Sequence, residues 1–523
     1  MTSPEDGRGI GLSERGLASE PLVESTDAER LGIGAALVLG GTLLGRGLQV
    51  GFHVLLARSF GAAALGVFAI AWAVFRLISV VAPLGLHNAV LRFGSQGRSS
   101  GEGNLRSLAG RCVRFAGTFG VVFAALLWAL APWFSDVVFN EPRLLSTLRF
   151  LALSIPLAAG LRVVGAATRV NHTMHYSVLA EELVQPAAAL LLMQVFVALG
   201  GGVDRAALAV LISYCIGFLL AGVFLRLEAP GQSSGLVPTS GELLAFSLPT
   251  AMSGIVAVSI IWIDRLYVGY FRTTTDVGFY QAASQISLLA PLVLSGFNQI
   301  FTPMMADLYN RDEHGRLLEL YRVSTKWATL VILPVAATAM VLAESLLVAL
   351  FGSGFESAAV ALRIIMIGQL LNVATGPVGV LLMMSGNQRL WMWQAVAALG
   401  LNLALNTALV PRFGLAGAAW ATSASLIVLF SSAMLAVNRK LNLSPYDRRG
   451  LKLLIVIVAA TSVAALVRML GLDAFVGTIV ALAGTGLATV GLWALLGFDS
   501  EDREILGLLL RRLVAGRSAV RRS

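Results

Sequence analysis

The sequence predicts an all-helical protein that crosses a membrane many times, and three observations carry that expectation. The 523 residues are 57% hydrophobic and only 13% charged, with a mean hydropathy of +0.80, whereas soluble proteins carry roughly 25% charged residues. The apolar residues gather into fourteen stretches between Leu31 and Phe498, each near the ~20 residues that cross ~30 Å of hydrocarbon as a helix. Several stretches also retain an arginine or a carboxylate. Such a charge costs ~2.5–3.5 kcal/mol at a helix centre on insertion scales, so it faces a wet cavity or a partner rather than lipid.

Residues 1–30 are polar and acidic, with Glu14, Glu20, Glu24 and Asp27. They lack the basic start and short apolar core of a cleaved signal, and are expected to form a disordered cytoplasmic tail. Spans 1 to 6 then fall at 31–56, 65–91, 110–131, 144–167, 176–199 and 206–227. Spans 7 to 12 fall at 243–271, 277–305, 327–350, 358–384, 390–410 and 415–437, and spans 13 and 14 at 451–470 and 475–498. Beyond them, 499–523 sets Ile505, Leu508 and Leu509 among charged residues and ends on Arg517, Arg521 and Arg522. It is expected to lie on the inner leaflet as an amphipathic helix with a basic tail.

An even number of spans places both termini on one side. Most of the 38 Lys and Arg residues fall on that side, which marks it as cytoplasmic. The net charge of +9 and pI near 10.0 would suit nucleic acid. The basic residues, however, are dispersed over short loops, where they orient spans and meet anionic lipid. Cys112 and Cys215 sit at or inside apolar spans and read as small buried residues rather than a disulfide or metal pair.

The chain repeats internally. His53–Phe60 followed by Gly66-Val-Phe68 recurs as Asp264–Phe271 followed by Gly278-Phe-Tyr280. The offset encloses six spans, so the copies run in the same direction. Parallel repeats are related by an axis along the membrane normal, with transport sites between them. Residues 31–230 are therefore an N-lobe, 231–440 a C-lobe, and 441–498 two added helices.

In span 1, Thr42, Arg46, Gln49 and His53 share one helical face. Arg76 in span 2 shares its face with Trp72, Ser79 and Pro83, and Arg162 lies toward the cytoplasmic end of span 4. A guanidinium fork binds phosphate oxygens in pairs and stays charged at any relevant pH. A cavity holding Arg46 and Arg76 would attract a phosphorylated substrate; the alternative is that each arginine ties helices together. Glu181 and Glu182 open span 5 near the cytoplasm, where carboxylates suit a helix N-terminus. Gln281, Gln285, Asn298 and Gln299 in span 8, with Asn372, Asn402 and Asn406, suit either a sugar-compatible cavity or hydrogen bonds between helices.

Asp264 and Arg265 are adjacent in span 7. By the repeat, Asp264 corresponds to His53, so the two are expected to face one another and to couple protonation to an outer gate. Glu344 and Arg363, in spans 9 and 10, are expected to pair on the outer side, as a structural tie or part of that gate. No Gly-x-x-x-x-Gly-Lys-Ser/Thr loop, metal-spaced Cys/His cluster or acidic pair typical of a glycosyl transferase is present. The expectation is a transporter rather than an enzyme, with no metal or cofactor, driven by an ion gradient, the membrane potential or the substrate gradient.

Leu56-Ala-Arg-Ser-Phe-Gly61, Gly85-Leu-His-Asn-Ala-Val-Leu-Arg-Phe93, Ser247-Leu-Pro249, Ile263-Asp-Arg-Leu266, Val277-Gly-Phe-Tyr280 and Phe413-Gly-Leu-Ala-Gly-Ala-Ala-Trp-Ala-Thr422 resemble the oligosaccharide flippase (polysaccharide transport) family. That family belongs to the multidrug/oligosaccharidyl-lipid/polysaccharide (MOP) exporter superfamily, and the resemblance covers roughly 31–440. It implies two pseudo-symmetric six-helix lobes around a V-shaped cavity, alternating access and a bacterial cytoplasmic membrane. The implied substrate is a polyprenyl-diphosphate-linked oligosaccharide moved outward for cell-surface polysaccharide. H+ or Na+ coupling, polymerase or glycosyltransferase partners and a monomeric state accompany that reading; nucleic acid does not. A lipid II flippase and a cation-coupled multidrug exporter of the same superfamily are the alternatives. The Asp-Arg pair matches the family pattern at Asp264 and Arg265, whereas the family's Gly-Pro after the first span is replaced here by Phe60-Gly-Ala-Ala-Ala64.

Overall fold

The computed structural model describes residues 25–100, 104–170, 174–228, 238–446 and 450–495. The acidic segment up to residue 24 and the basic tail 499–523 lie outside the described residues. The first helix begins at Ser25, inside the stretch expected to be a disordered tail. Among the described residues the regular elements are all helical, and twelve continuous helical segments are long and apolar enough to cross a membrane.

Two helices far exceed one bilayer. Ser25–Val81 is broken at Gly61 (φ 79°), between spans 1 and 2, and Gln388–Leu441 at Gly414 (φ 58°), between spans 11 and 12. At 1.5 Å per residue a straight helix of 54 residues would measure about 80 Å, more than twice the hydrocarbon thickness. Positive φ brings Cβ against the backbone, so a glycine makes each corner. Spans 7 and 8 are joined differently. The helix Ser240–Phe271 ends, and Thr273 and Asp276 form a capping box that starts Thr274–Ser287. Span 8 is itself divided at Leu288, its second half running from Leu289 to Asn310 with Pro291 in the first turn. Proline suits such a start because the first N–H groups of a helix have no partner within it. In span 5 a wide turn, Val178–Val184, precedes Pro186.

At the Gly61 end the two halves share one continuous core. Leu65, Phe68 and Phe75 of span 2 pack with Val277, Tyr280 and Ile286 of span 8 and with Leu347, Phe351 and Leu362 of spans 9 and 10. Arg58, at the end of span 1, donates across the halves to the carbonyls of Ala349 (2.5 Å) and Leu350 (2.7 Å). These carbonyls belong to the last turn of the helix Ala343–Phe351, so the guanidinium caps a negative helix end.

The last helices, Gly450–Met469 and Ala474–Leu495, lie against span 9, where Leu330, Leu333 and Ala337 meet Val456, Ala460 and Trp493. Lys326 sits 5.2 Å over the Trp493 ring. Leucine and valine remain exposed on these helices and on spans 5 and 6, as at Leu191, Leu219, Leu487 and Val490, which is the surface a membrane covers.

Candidate functional site

A cavity of about 280 Å³ lies between the two halves. Span 1 contributes Arg46, Gln49, Val50, Phe52 and His53, and span 2 contributes Phe68, Trp72 and Arg76. Gln185 and Pro186 of span 5 and Tyr214 of span 6 complete one wall, with Ile261, Trp262, Gln285 and the bend Leu288–Leu292 opposite. Among the described residues no Asp or Glu lines it, and the formal charges of its lining are the two arginines.

Arg46 is exposed and donates to Gln49 Oε1 at 3.0 Å. Arg76 is half-buried, and its Nε is buried without a hydrogen-bond partner. Its guanidinium carbon lies 5.8 Å from the centre of the Trp262 ring in the other half. A cation over an indole face gains ~0.5–2 kcal/mol, but the face supplies no oxygen for the N–H groups. Arg46 and Arg162 lie close enough to Arg76 for the positive charges to repel, and the Glu182 carboxylate lies close enough to offset part of that repulsion. Arg162 itself is not among the residues that line the cavity.

His53 is only 5% exposed. Its Nδ1 lies 2.8 Å from the Gln49 carbonyl oxygen, while its Nε2 is buried with no partner. A carbonyl only accepts, so Nδ1 carries the proton in that bond and Nε2 of the neutral ring is an acceptor.

Asp264 and His53 were expected to face one another, and the structure corrects this. Asp264 is enclosed within its own half: Oδ2 accepts from Tyr280 Oη at 2.7 Å and from Thr422 Oγ1, and Oδ1 from Asn406 Nδ2 at 2.8 Å and Asn402 Nδ2 at 3.3 Å. Helix neighbours diverge by about 100°, so Asp264 turns toward spans 11 and 12 while Arg265 points another way. Arg265 donates Nε to Gln281 Oε1 at 2.9 Å and Nη1 to the Ile261 carbonyl, leaving Nη2 buried and unpartnered. It also stacks 4.6 Å from Trp262, the indole that Arg76 approaches. Asn406 Oδ1, beside Asp264, is another buried atom without a partner.

The remaining expected residues are peripheral. Asn298 and Gln299 do not line the cavity: the second half of span 8 borders it only through Leu289, Pro291, Leu292 and Ser295, and the two amides lie beyond that stretch. Arg363 donates to Glu344 at 2.9 Å and to the Met340 carbonyl at 3.0 Å, with Arg468 of span 13 at 3.9 Å from the same carboxylate. That arrangement ties helices together away from the cavity. Glu181 pairs with Arg169 at 3.1 Å. Sequence reasoning missed Trp262, Tyr214, Tyr280 and Thr422. In an apolar span an inward aromatic reads like a lipid-facing one, and only the Ile263-Asp-Arg-Leu266 neighbourhood hinted at Trp262.

Comparison with known proteins agrees with this architecture. Residues 55–360 match the model of a family described as polysaccharide biosynthesis protein. A relative from Haloferax volcanii, named "Probable low-salt glycan biosynthesis flippase Agl15", is 25% identical over 405 residues, covering 74% of this chain and 79% of that protein. The fold is shared with the lipid II flippase MurJ in an inward closed conformation, at TM-score 0.69 and 14% identity, over 87% of this chain and 98% of that one. It is also shared with an inward-facing MATE multidrug resistance transporter of the MOP superfamily, at TM-score 0.64 and 16% identity, over 78% and 98% of the two chains.

Proposed function

The chain belongs to the polysaccharide biosynthesis protein family, and from that premise we propose that it is a flippase for a polyprenyl-diphosphate-linked oligosaccharide. It moves this substrate from the cytoplasmic to the outer leaflet of the cytoplasmic membrane by alternating access of two lobes. The observation that carries the proposal is the pair Arg46 and Arg76, facing a cavity between the halves with no carboxylate in its lining. A buried polar atom left unsatisfied costs ~1–3 kcal/mol, so Arg76 Nε awaits an external acceptor. A diphosphate supplies several, in the geometry a guanidinium fork prefers. The same lining disfavours the cationic drugs of a multidrug exporter.

With both termini cytoplasmic, the Gly61 end is outer and closed by the shared core and Arg58. The exposed Arg46 then stands at the cytoplasmic mouth. The diphosphate docks on the arginines while the prenyl chain stays in lipid. Asp264 is the coupling residue: its carboxylate, the Thr422 and Tyr280 hydroxyls and the unpartnered Asn406 oxygen form an oxygen-rich nest for a proton or a sodium ion. The test is reconstitution in liposomes with a fluorescent polyprenyl-diphosphate glycan, following loss of the dye from one leaflet. Wild type is expected to translocate it, and R46A and R76A to lose most of the rate. Equal rates in empty and protein-containing vesicles would sink the proposal.

A further inference from the structure

We infer that the closed end of the cavity is a subsite for a single sugar ring, the one bonded to the diphosphate, read by His53, Gln285 and the aromatic wall of Phe52, Phe68 and Trp72. This rests on the flippase reading and adds which part of the glycan is recognised.

The corner at Gly61 sets the levels. Arg46 and Arg76 lie equally far from it along their helices, as do His53 and Phe68 to within one residue. Ring contacts of 5.9 Å between His53 and Phe68 and 5.3 Å between Phe52 and Phe68 confirm that the helices fold back in this register. The arginine level and the histidine level are therefore about 10 Å apart, seven residues at 1.5 Å each. Trp72 stands one turn deeper than Arg76, and the Gly66–Gly278 repeat places Gln285 near the same depth. A sugar ring bonded to a diphosphate held by the arginine side chains extends from their level toward the histidine level.

The chemistry changes with depth. The mouth is cationic, whereas the closed end carries neutral hydrogen-bonding groups against aromatic carbon, with Phe68 and Trp72 stacked at 5.8 Å. Sugar hydroxyls and C–H faces suit such a wall; phosphate does not. His53 Nε2 is an acceptor, buried and unmatched, and a sugar O–H would satisfy it. The volume of about 280 Å³ corresponds to roughly nine waters at ~30 Å³ each. That volume is shared with the arginine level, so it admits one ring beside the diphosphate and no second sugar.

The test measures binding to the full-length protein in nanodiscs by tryptophan fluorescence. The probes are polyprenyl diphosphate, a panel of polyprenyl-diphosphate monosaccharides and one disaccharide homologue. Wild type is expected to bind at least one monosaccharide form about tenfold more tightly than the bare diphosphate, with little further gain from a second sugar. In H53A and Q285A that ratio should fall toward one, and His53→Gln, which keeps an acceptor, should restore part of it. R76A should weaken every probe and keep the ratio. A wild type that binds bare and glycosylated diphosphates equally refutes the subsite alone, as does an unchanged ratio in both H53A and Q285A. A wild type that binds none of the probes refutes the flippase reading and the subsite together.

Discussion

Gly66 and Gly278 occupy matching places in the two repeats, and each packs against the backbone of the other half. A β-carbon on Gly66 would collide with the carbonyl oxygen of Thr274, and one on Gly278 with the carbonyl oxygen of Ala62. Thr274 and Ala62 are themselves matched by the same offset. The contact is thus reciprocal about the pseudo-axis and brings spans 2 and 8 together at the closed end. Neither glycine needs positive φ here; the reason is close approach of two backbones.

Substituting alanine at Gly66 or Gly278 should therefore unseat the outer closure. Overpacking of this kind costs ~1–3 kcal/mol, a shift of roughly 5- to 150-fold toward the form in which spans 2 and 8 separate. A cysteine placed at Phe68, which is buried in that core, should react faster with a membrane-impermeant maleimide from outside in G66A and G278A. Unchanged labelling would mean that these glycines do not control the closure.

Arg76 should trade stability for function. Its Nε is buried without a partner and it has no ion pair among the described residues. Arg76→Met gives up the cation–π contact with Trp262 but keeps a side chain of similar length and removes the unsatisfied charge, so melting temperature should hold or rise by a few degrees while translocation falls at least tenfold. A marked drop in melting temperature would show instead that Arg76 holds helices together.

Asp264→Asn preserves volume, can still accept from Tyr280 and Thr422 through its one amide oxygen, presents an NH2 group on the side where Asn406 donated, and removes the charge. The variant should reach the membrane folded, yet translocation should stop responding to an imposed proton or sodium gradient. Whichever ion couples should raise the melting temperature of wild type and not of D264N, because a ligand bound only to the native state stabilises it. A D264N protein that keeps its gradient response would assign coupling elsewhere.

Glu344 and Arg363 should matter little to transport per molecule. The carboxylate is 41% exposed and the guanidinium 28%, and pairs this open contribute ~0–1 kcal/mol. Glu344→Gln is expected to lower the melting temperature by a few degrees at most and leave the translocation rate within twofold. A severalfold rate loss with unchanged melting would place this pair in the gate after all.

The legible part of the site was the charged part. Arg46, Gln49 and His53 declare a polar face by spacing alone, and the structure sets all three on the cavity beside Arg76. Asp264 was legible as unusual and illegible in direction, because one residue of helix rotation separates a position toward Asn402 and Asn406 from one toward Trp262. Asn298 and Gln299 are another case: polarity marks them as unusual in an apolar span, but span 8 borders the cavity only as far as Ser295.

The sequence by itself determined the membrane-spanning helices and displayed the internal repeat, since hydropathy and repeat spacing are local, whereas the corners at Gly61 and Gly414 became visible only in the structure. Tertiary structure alone decided which intramembrane charges are answered by neighbours and which are left open. That depends on helix rotation, on kinks and on which side chains arrive from spans more than a hundred residues away, as the Thr422 hydroxyl does for Asp264 and the Trp262 ring for Arg76.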